Sequence, residues 1–359
     1  MAASLNGSSD GATRAVTLIF VEPCCGWEVG SYWSETTGGH MRTRYLALLV
    51  VMTLFWLAPH SGEAQATLQT PWGDPDLQGT WTGSTMTPLE RRSEHVGKEF
   101  LTEEEAAALE QRADQRRFVE REPSSGDPGT YNQIWFDPGT RIVPDRRTAL
   151  IVEPADGQIP YTSKMADRER LQVAYRVNGA RNSWVDVDTG ERCLTDGVPM
   201  FWLGYNPNHQ IVQTRNHVVI LHEMFRDRRI IPITDRPHGP IAQWNGDIRG
   251  HWEGDTLVVE STRFVDRTSD RWAATWRMPT TTMRLVERFT RRDSTTLEYE
   301  FTLTDPEKFT RPWSVRIPLT TNQAGRGVTE GPLYEYACHE GNYSLVNVLS
   351  GARAEERGQ

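Results

Sequence analysis

The chain reads as a mainly β protein: an antiparallel meander that closes as a barrel or folds as a sandwich, with two helices in its N-terminal half and one at its C-terminus. Three observations predict it. From residue 209 onward, apolar and polar residues alternate with period two, in runs at 209–215, 217–224, 228–234, 247–253, 256–265, 283–291, 295–304 and 313–320. Short turn sequences such as Arg215-Asn216 and Gly254-Asp255 join several of these runs, and such loops suit hairpins rather than the long crossovers of parallel βαβ units. No fixed-period repeat or low-complexity segment interrupts them.

The elements follow in chain order. Met41-Arg-Thr-Arg44 is a basic segment, 45–58 is an apolar run, and Ala64-Gln65-Ala66 is a small-x-small cleavage site, which together make an export signal. The apolar run is short for a bilayer span, which wants about 20 residues, so no stable membrane anchor is expected after cleavage. Residues 1–40 then read as an upstream extension before the true start, 41–66 as the signal peptide, and 67–359 as a single β-rich domain working in the periplasm or outside the cell. Gly79-Thr-Trp-Thr82 is a short strand. Thr102-Glu-Glu-Glu105 is a capping box, in which the threonine hydroxyl takes an orphan amide while the glutamate reaches back, and it opens a helix over about 103–120. A strand is expected from Arg147 to Glu153. Ser163 can cap a second helix, about 164–176. A last helix, about 343–356, follows Asn342, with Leu345, Val348, Leu349 and Ala352 on one stripe.

The chain has 359 residues and carries 48 acidic against 39 basic ones, a net charge of −9, with both signs mixed throughout. That pattern offers no footprint for nucleic acid or an anionic membrane. Of the four cysteines, Cys24 and Cys25 precede the cleavage site. Cys193 and Cys338 remain, and in an oxidising compartment they most simply form one disulfide. It would close a loop of about 145 residues, worth roughly 4–5 kcal/mol in loop-entropy models. Two unpaired buried thiols are the alternative.

Hairpin geometry places side chains together. The Gly254-Asp255 loop pairs Trp252 with Leu257, His251 with Val258 and Arg249 with Glu260. One face then carries Trp252, Leu257 and Val259, and the other carries Arg249, His251, Glu253, Thr256 and Glu260. The polar face is either a solvated surface with a cross-strand ion pair or the wall of a polar cavity. A three-residue loop, Arg292 to Ser294, sets Arg288 opposite Glu298 and Leu285 opposite Phe301, and collects Leu285, Phe289, Leu297, Tyr299 and Phe301 on one apolar face. Carboxylates in that hairpin read as structural. The Arg215-Asn216 loop pairs Ile211 with Ile220 and His209 with His222. Cross-strand histidines can chelate a metal, but Glu223 points to the opposite face, so the pair is only a weak metal candidate and no metal or other cofactor is expected. The chain has no His-Glu-x-x-His, Cys-x-x-Cys, Gly-x-Ser-x-Gly or phosphate-binding glycine loop.

Around Cys338, the stretch 335–343 gathers ionisable and aromatic groups, and a disulfide would hold His339 and Glu340 rigidly. Aromatic rings flanked by polar residues, as in Gln243-Trp-Asn-Gly-Asp247, suit flat organic or sugar ligands.

Thr87-Pro-Leu-Glu-Arg91, Arg192-Cys-Leu194, Gln210-Ile-Val-Gln-Thr214, Arg229-Ile-Ile-Pro232, Gly250-His-Trp-Glu-Gly-Asp-Thr-Leu-Val-Val259 and Tyr336-Ala-Cys-His-Glu-Gly-Asn-Tyr343 resemble an uncharacterised family of secreted proteins from soil and environmental bacteria. The likeness covers essentially all of 70–356. It implies export, and it carries over no established activity and no catalytic residues to positions of this chain. The family's Asp-Gly-Arg-Pro-His turn stands here as Asp235-Arg-Pro-His238, without the glycine.

These readings converge on an exported β-rich protein that binds or processes a small organic molecule. The candidate ligand-binding residues are Arg249, His251, Glu260, His238, Trp244, His339 and Glu340. Were it an enzyme, a histidine would serve as general base and an arginine as anion clamp. The alternative is a non-catalytic envelope or interaction module.

Overall fold

The computed structural model describes residues 68–117, 139–167, 183–187, 189–195, 197–199, 207–266 and 275–358. The export signal at 41–66 and most of the helix expected at 164–176 lie outside these residues; within them, 163–167 is helical.

Among the described residues ten strands form one sheet: β1 (Gly79–Thr82), β2 (Ile151–Glu153), β3 (Asn208–Gln213), β4 (His217–His222), β5 (Arg228–Pro232), β6 (Asp247–Glu253), β7 (Thr256–Thr262), β8 (Arg284–Arg291), β9 (Thr296–Thr304) and β10 (Trp313–Thr320). Nine of them lie side by side in the order β5-β4-β3-β1-β10-β9-β8-β7-β6, every neighbouring pair antiparallel. The strip curls into a nearly closed barrel. β1 and β2 share the remaining edge of β10, at Thr320 and at Ser314–Val315 respectively.

Strand number dictates how the ring can close. In a ring of nine, alternating directions bring two like-directed strands together once. That seam falls between β5 and β6, where Ile233 bridges Gly250 in parallel and Thr234 N donates to Gly250 O at 2.9 Å. Gly250 permits the approach: a Cβ there would stand 2.7 Å from Ile231 Cγ2. Pro232, whose nitrogen cannot donate, ends β5 on the edge, where a proline is tolerated.

The alternation reads out as burial. Leu257, Val259, Leu285, Phe289, Leu297, Tyr299, Phe301, Leu303, Trp313, Val315, Ile317 and Leu319 point inward and form the core with Trp81, Ile211, Val218, Ile220 and Ile231. Burying each large side chain contributes about 1.5–3 kcal/mol. An aromatic cluster fills one side: Trp313 meets Trp276, Phe309 and Phe301 edge-on at 5.4, 5.6 and 5.9 Å between ring centres, and Phe289 stacks on Tyr299 at 4.8 Å.

The β6–β7 register is the expected one, with Trp252 opposite Leu257 and Arg249 opposite Glu260 across Gly254-Asp255. So is β3–β4, with His209 opposite His222. The β8–β9 register is not. Arg288 faces Glu300 and Leu285 faces Leu303, two residues away from the expected partners. The loop is Asp293–Ser294–Thr295, fixed by the Asp293 carboxylate, which accepts from Thr295 N at 2.7 Å and Thr295 Oγ1 at 2.9 Å. A slip of two keeps every side chain on its face, so the apolar face is right although the pairs are not.

α1 (Glu103–Arg116) starts at the expected capping box: Thr102 Oγ1 accepts from Glu105 N at 3.3 Å and Glu105 Oε2 from Thr102 N at 2.8 Å. On α2 (Ser344–Gly358) the stripe residues Leu345, Val348 and Leu349 are half-buried and Ala352 is buried. The strand expected from Arg147 is shorter, because Thr148 N and Leu150 N are drawn to the Glu99 and Pro88 carbonyls instead of a sheet partner.

Candidate functional site

β5 and β6 touch at Ile233–Gly250 and diverge toward their N-terminal ends. The wedge between them opens a cleft of about 920 Å³ lined by Arg228, Arg229 and Ile230 on one side and Trp244, Gly246 and Ile248 on the other. The segment 336–340 forms a further part of its wall. That strap is fastened by the Cys193–Cys338 disulfide, Cα to Cα 5.6 Å, by Arg226 Nη1 donating to Glu335 Oε1 at 2.8 Å, and by Tyr334 N donating to Glu223 Oε1 at 3.2 Å. The size suits a small organic ligand.

The cleft wall is aromatic and strained. Phe225 packs on Tyr336 at 4.9 Å, and the Arg192 guanidinium lies 5.2 Å from the Trp184 ring centre and 5.5 Å from that of Trp244. Among the described residues five non-glycine positions have left-handed φ, and three of them, Cys193 (54°), Phe225 (56°) and Arg226 (50°), line this cleft. Such conformations cost about 1 kcal/mol or more each and gather where function requires an unusual backbone. The cations are unequal. Arg226 is engaged by Glu335, and Arg229 by Glu287. Arg228 is exposed and has no ionic partner among the described residues.

Behind the cleft, inside the barrel, lies a buried polar cluster. Arg229 Nη1 donates to Glu287 Oε1 at 2.8 Å, Nη2 donates to Glu287 Oε2, and Tyr299 Oη donates to Glu287 Oε1 at 2.7 Å. Burial opposes the charge on Arg229, but the Glu287 carboxylate more than offsets it and holds the guanidinium above its ordinary value. Burial, aided by the Glu287 charge, drives the Tyr299 hydroxyl well up. His209 and His222 meet edge-to-face at 4.4 Å in a cavity of about 20 Å³ shared with Arg229, Glu287 and Tyr299. Burial lowers His209 to about 4. Burial lowers His222 well below its ordinary value, with the charges of His209, Arg229 and Arg277 adding to it. Both rings are therefore neutral near pH 7, with His209 Nδ1 and His222 Nε2 lacking a hydrogen-bond partner among the described residues. Among the described residues no group of three or more His, Cys, Asp or Glu could hold a metal ion.

The predicted residues divide between two places. Trp244, His339 and Glu340 line the cleft. Arg249, His251, Glu260 and His238 stand outside it, on the outer face of β6 and β7. There Asp247 accepts from Arg249 Nη1 at 2.7 Å and Gly239 N at 2.7 Å and lies 3.1 Å from His238 Nδ1. Burial works against the Asp247 charge, but the Gly239 amide and Arg249 outweigh it and keep the carboxyl below its usual range. Glu260 accepts from Arg284 Nε at 2.7 Å, which lowers its carboxyl, and lies 4.0 Å from His238 Nε2. His251 pairs with Glu253 at 3.2 Å and is 47 % exposed, so the hairpin face is a surface ion-pair stripe.

Arg229 and Glu287 escaped the sequence reading, although a signal for the glutamate was present. Leu285 and Phe289 point inward, and period two carries Glu287 with them. Nothing local ties it to Arg229, 58 residues away. Comparison with family models, curated proteins and solved structures returns no match for this chain.

Proposed function

We propose that the protein is an exported barrel that binds a small organic ligand carrying an acidic group, in the cleft between β5 and β6. One observation carries the reading: the forced parallel seam opens into a cleft of about 920 Å³ walled by Phe225, Trp244 and Tyr336 and edged by Arg228, a cation with no ionic partner among the described residues. Aromatic surface takes up the body of the ligand, and the guanidinium takes its charge. The left-handed backbone at Cys193, Phe225 and Arg226 supports the assignment. Export rests on the signal at 41–66 and agrees with the disulfide and with the resemblance of the motifs to a secreted bacterial family. No reaction is assigned.

Calorimetric titration with a panel of aromatic and aliphatic carboxylic acids tests this. Binding should weaken about tenfold or more in Arg228→Gln, the loss of one charge-assisted hydrogen bond, and comparably in Trp244→Ala. Acid binding untouched by both substitutions rejects the cleft as the site. The second reading, a non-catalytic interaction module, draws on Tyr334, Tyr343 and Val346, which are 61, 70 and 64 % exposed along the strap and α2.

A further inference from the structure

We infer that the ligand class of this cleft is a short peptide, three or four residues in extended form, taken up as an inserted strand between β5 and β6 with its C-terminal carboxylate at Arg228. This rests on the cleft being the binding site. Ring parity is the first argument. A strand placed in the seam antiparallel to β5 is also antiparallel to β6, because the two flanking strands run the same way. Beside the Ile233–Gly250 bridge, which stays, the insert has an antiparallel neighbour on each side, and at that level the ring becomes ten strands of alternating direction.

Hydrogen-bond phase is the second argument. His222 N donates to Asp227 O at 2.8 Å and Ile233 N to Asn216 O at 2.9 Å. In an antiparallel pair bonded residues recur every second position, so Arg229 and Ile231 also turn their backbone groups to β4. Arg228 and Ile230 must then turn theirs to the seam. On β6 the two-residue loop makes Glu253 and Thr256 a bonded pair, so Arg249 and His251 face β7 while Gly250 and Ile248 face the seam. Gly250 is used at the bridge, and Ile248 O accepts from Arg249 Nη1 at 2.7 Å. That leaves the N–H and C=O of Arg228 and Ile230 and the N–H of Ile248 without partners among the described residues, and all three residues line the cleft. Two residues of a strand span about 6.6–6.8 Å, the spacing at which another peptide backbone presents matching groups. A simple aromatic acid has no such repeat.

Direction is the third argument. A peptide antiparallel to β5 carries its C-terminus toward the N-terminal end of β5, where Arg228 stands at the mouth of the wedge. The bridge at Ile233–Gly250 closes the other end and limits the insert to the few residues alongside positions 228–231. Alternate side chains of the insert would face the Phe225, Tyr336 and Trp244 wall.

The test titrates the full exported chain with mixtures of tetrapeptides bearing free C-termini, beside the carboxylic-acid panel. The best peptide is then remade as its C-terminal amide and with the amide nitrogens of alternate residues methylated. The free peptide should bind about tenfold or more tighter than either altered form. Arg228→Gln should erase the difference between acid and amide while leaving the effect of methylation. If tetrapeptides bind with no sensitivity to methylation, or fail to bind where aromatic acids succeed, the strand-insertion inference falls and the cleft reading stands. If neither class binds, the cleft reading falls and this inference with it.

Discussion

The two sides of the barrel apply one alternation to opposite materials. On β8, β9 and β10 the inward positions are almost all apolar: Leu285, Phe289, Leu297, Phe301, Leu303, Trp313, Val315 and Ile317. On β3, β4 and β5 they include His209, Gln213, His222 and Arg229; Glu287, held by Tyr299, answers Arg229 across the interior, while Gln213 bonds the Pro75 carbonyl and the Leu77 amide. The apolar side needs only complementary shape, so its stability is spread over many contacts. On the polar side every group needs a specific partner, and its stability is concentrated in a few bonds. The seam and its cleft border the polar side. The barrel is thus firm where it is oily and particular where it opens.

The sharpest way to break this contrast is to remove one anchor from each side. Trp313→Ala should cost about 3–5 kcal/mol by leaving a cavity. Glu287→Leu should cost a similar ~3–5 kcal/mol by stranding the Arg229 charge in the core, yet Arg229→Met combined with Glu287→Leu should recover most of the loss. Denaturant unfolding of the three variants beside the parent measures it. A double variant no better than the single one would mean that the pair does more than neutralise itself.

Acid should act on the polar side first. Unfolded histidine takes its proton near 6.5 and folded His209 only near 4. Between those values the unfolded chain binds more protons, so stability is full above about pH 6.5 and drains away as the pH falls toward 4. Each pH step of one across that window is worth about 1.4 kcal/mol, so His209 alone removes about 3 kcal/mol by pH 4. His222, lowered in the same direction, adds to it. The carboxylates with lowered values, among them Asp114 and Glu260, respond at lower pH, from ordinary values of 3.8 and 4.5. The loss between 6.5 and 5 therefore belongs to the histidines. Urea midpoints followed over that range should slope less in His209→Gln and His222→Gln than in the parent; equal slopes would contradict the buried neutral pair.

The seam itself offers a smaller and more local probe. Gly250→Ala brings a Cβ within 2.7 Å of Ile231 Cγ2. The strands must part or the side chain must move, at a cost of about 1–3 kcal/mol. Amide exchange should quicken at Thr234, whose N–H crosses the seam, well before it changes at β9. Uniform quickening would show that the seam is no weaker than the rest of the ring.

Much of this was legible in the residues because it is local. Two-residue loops set the β3–β4 and β6–β7 registers, since a tight turn leaves one pairing open. The β8–β9 register was legible in its faces but not in its pairs. The Asx turn at Asp293 competes with the Arg288–Glu298 charge pair and wins through two hydrogen bonds to Thr295. In the candidate site, Trp244, His339 and Glu340 were found from their aromatic and disulfide surroundings. Phe225 and Arg228 were not, because only the splay of β5 from β6 brings them to this cleft.

By itself the sequence determined the alternation, the two-residue turns of β3–β4 and β6–β7, the helix cap at Thr102, the apolar stripe of α2, and the partnership of Cys193 with Cys338, the two cysteines beyond the expected cleavage site. Each depends on neighbours a few residues apart or on there being no other partner. Only the tertiary structure decided that nine strands form the ring, that the parallel seam falls at β5 and β6, and that Arg229 meets Glu287 inside while Arg249 and Glu260 stay outside. The physical reason is that closure sums the twist, stagger and direction of every strand, a quantity that no single stretch of chain contains.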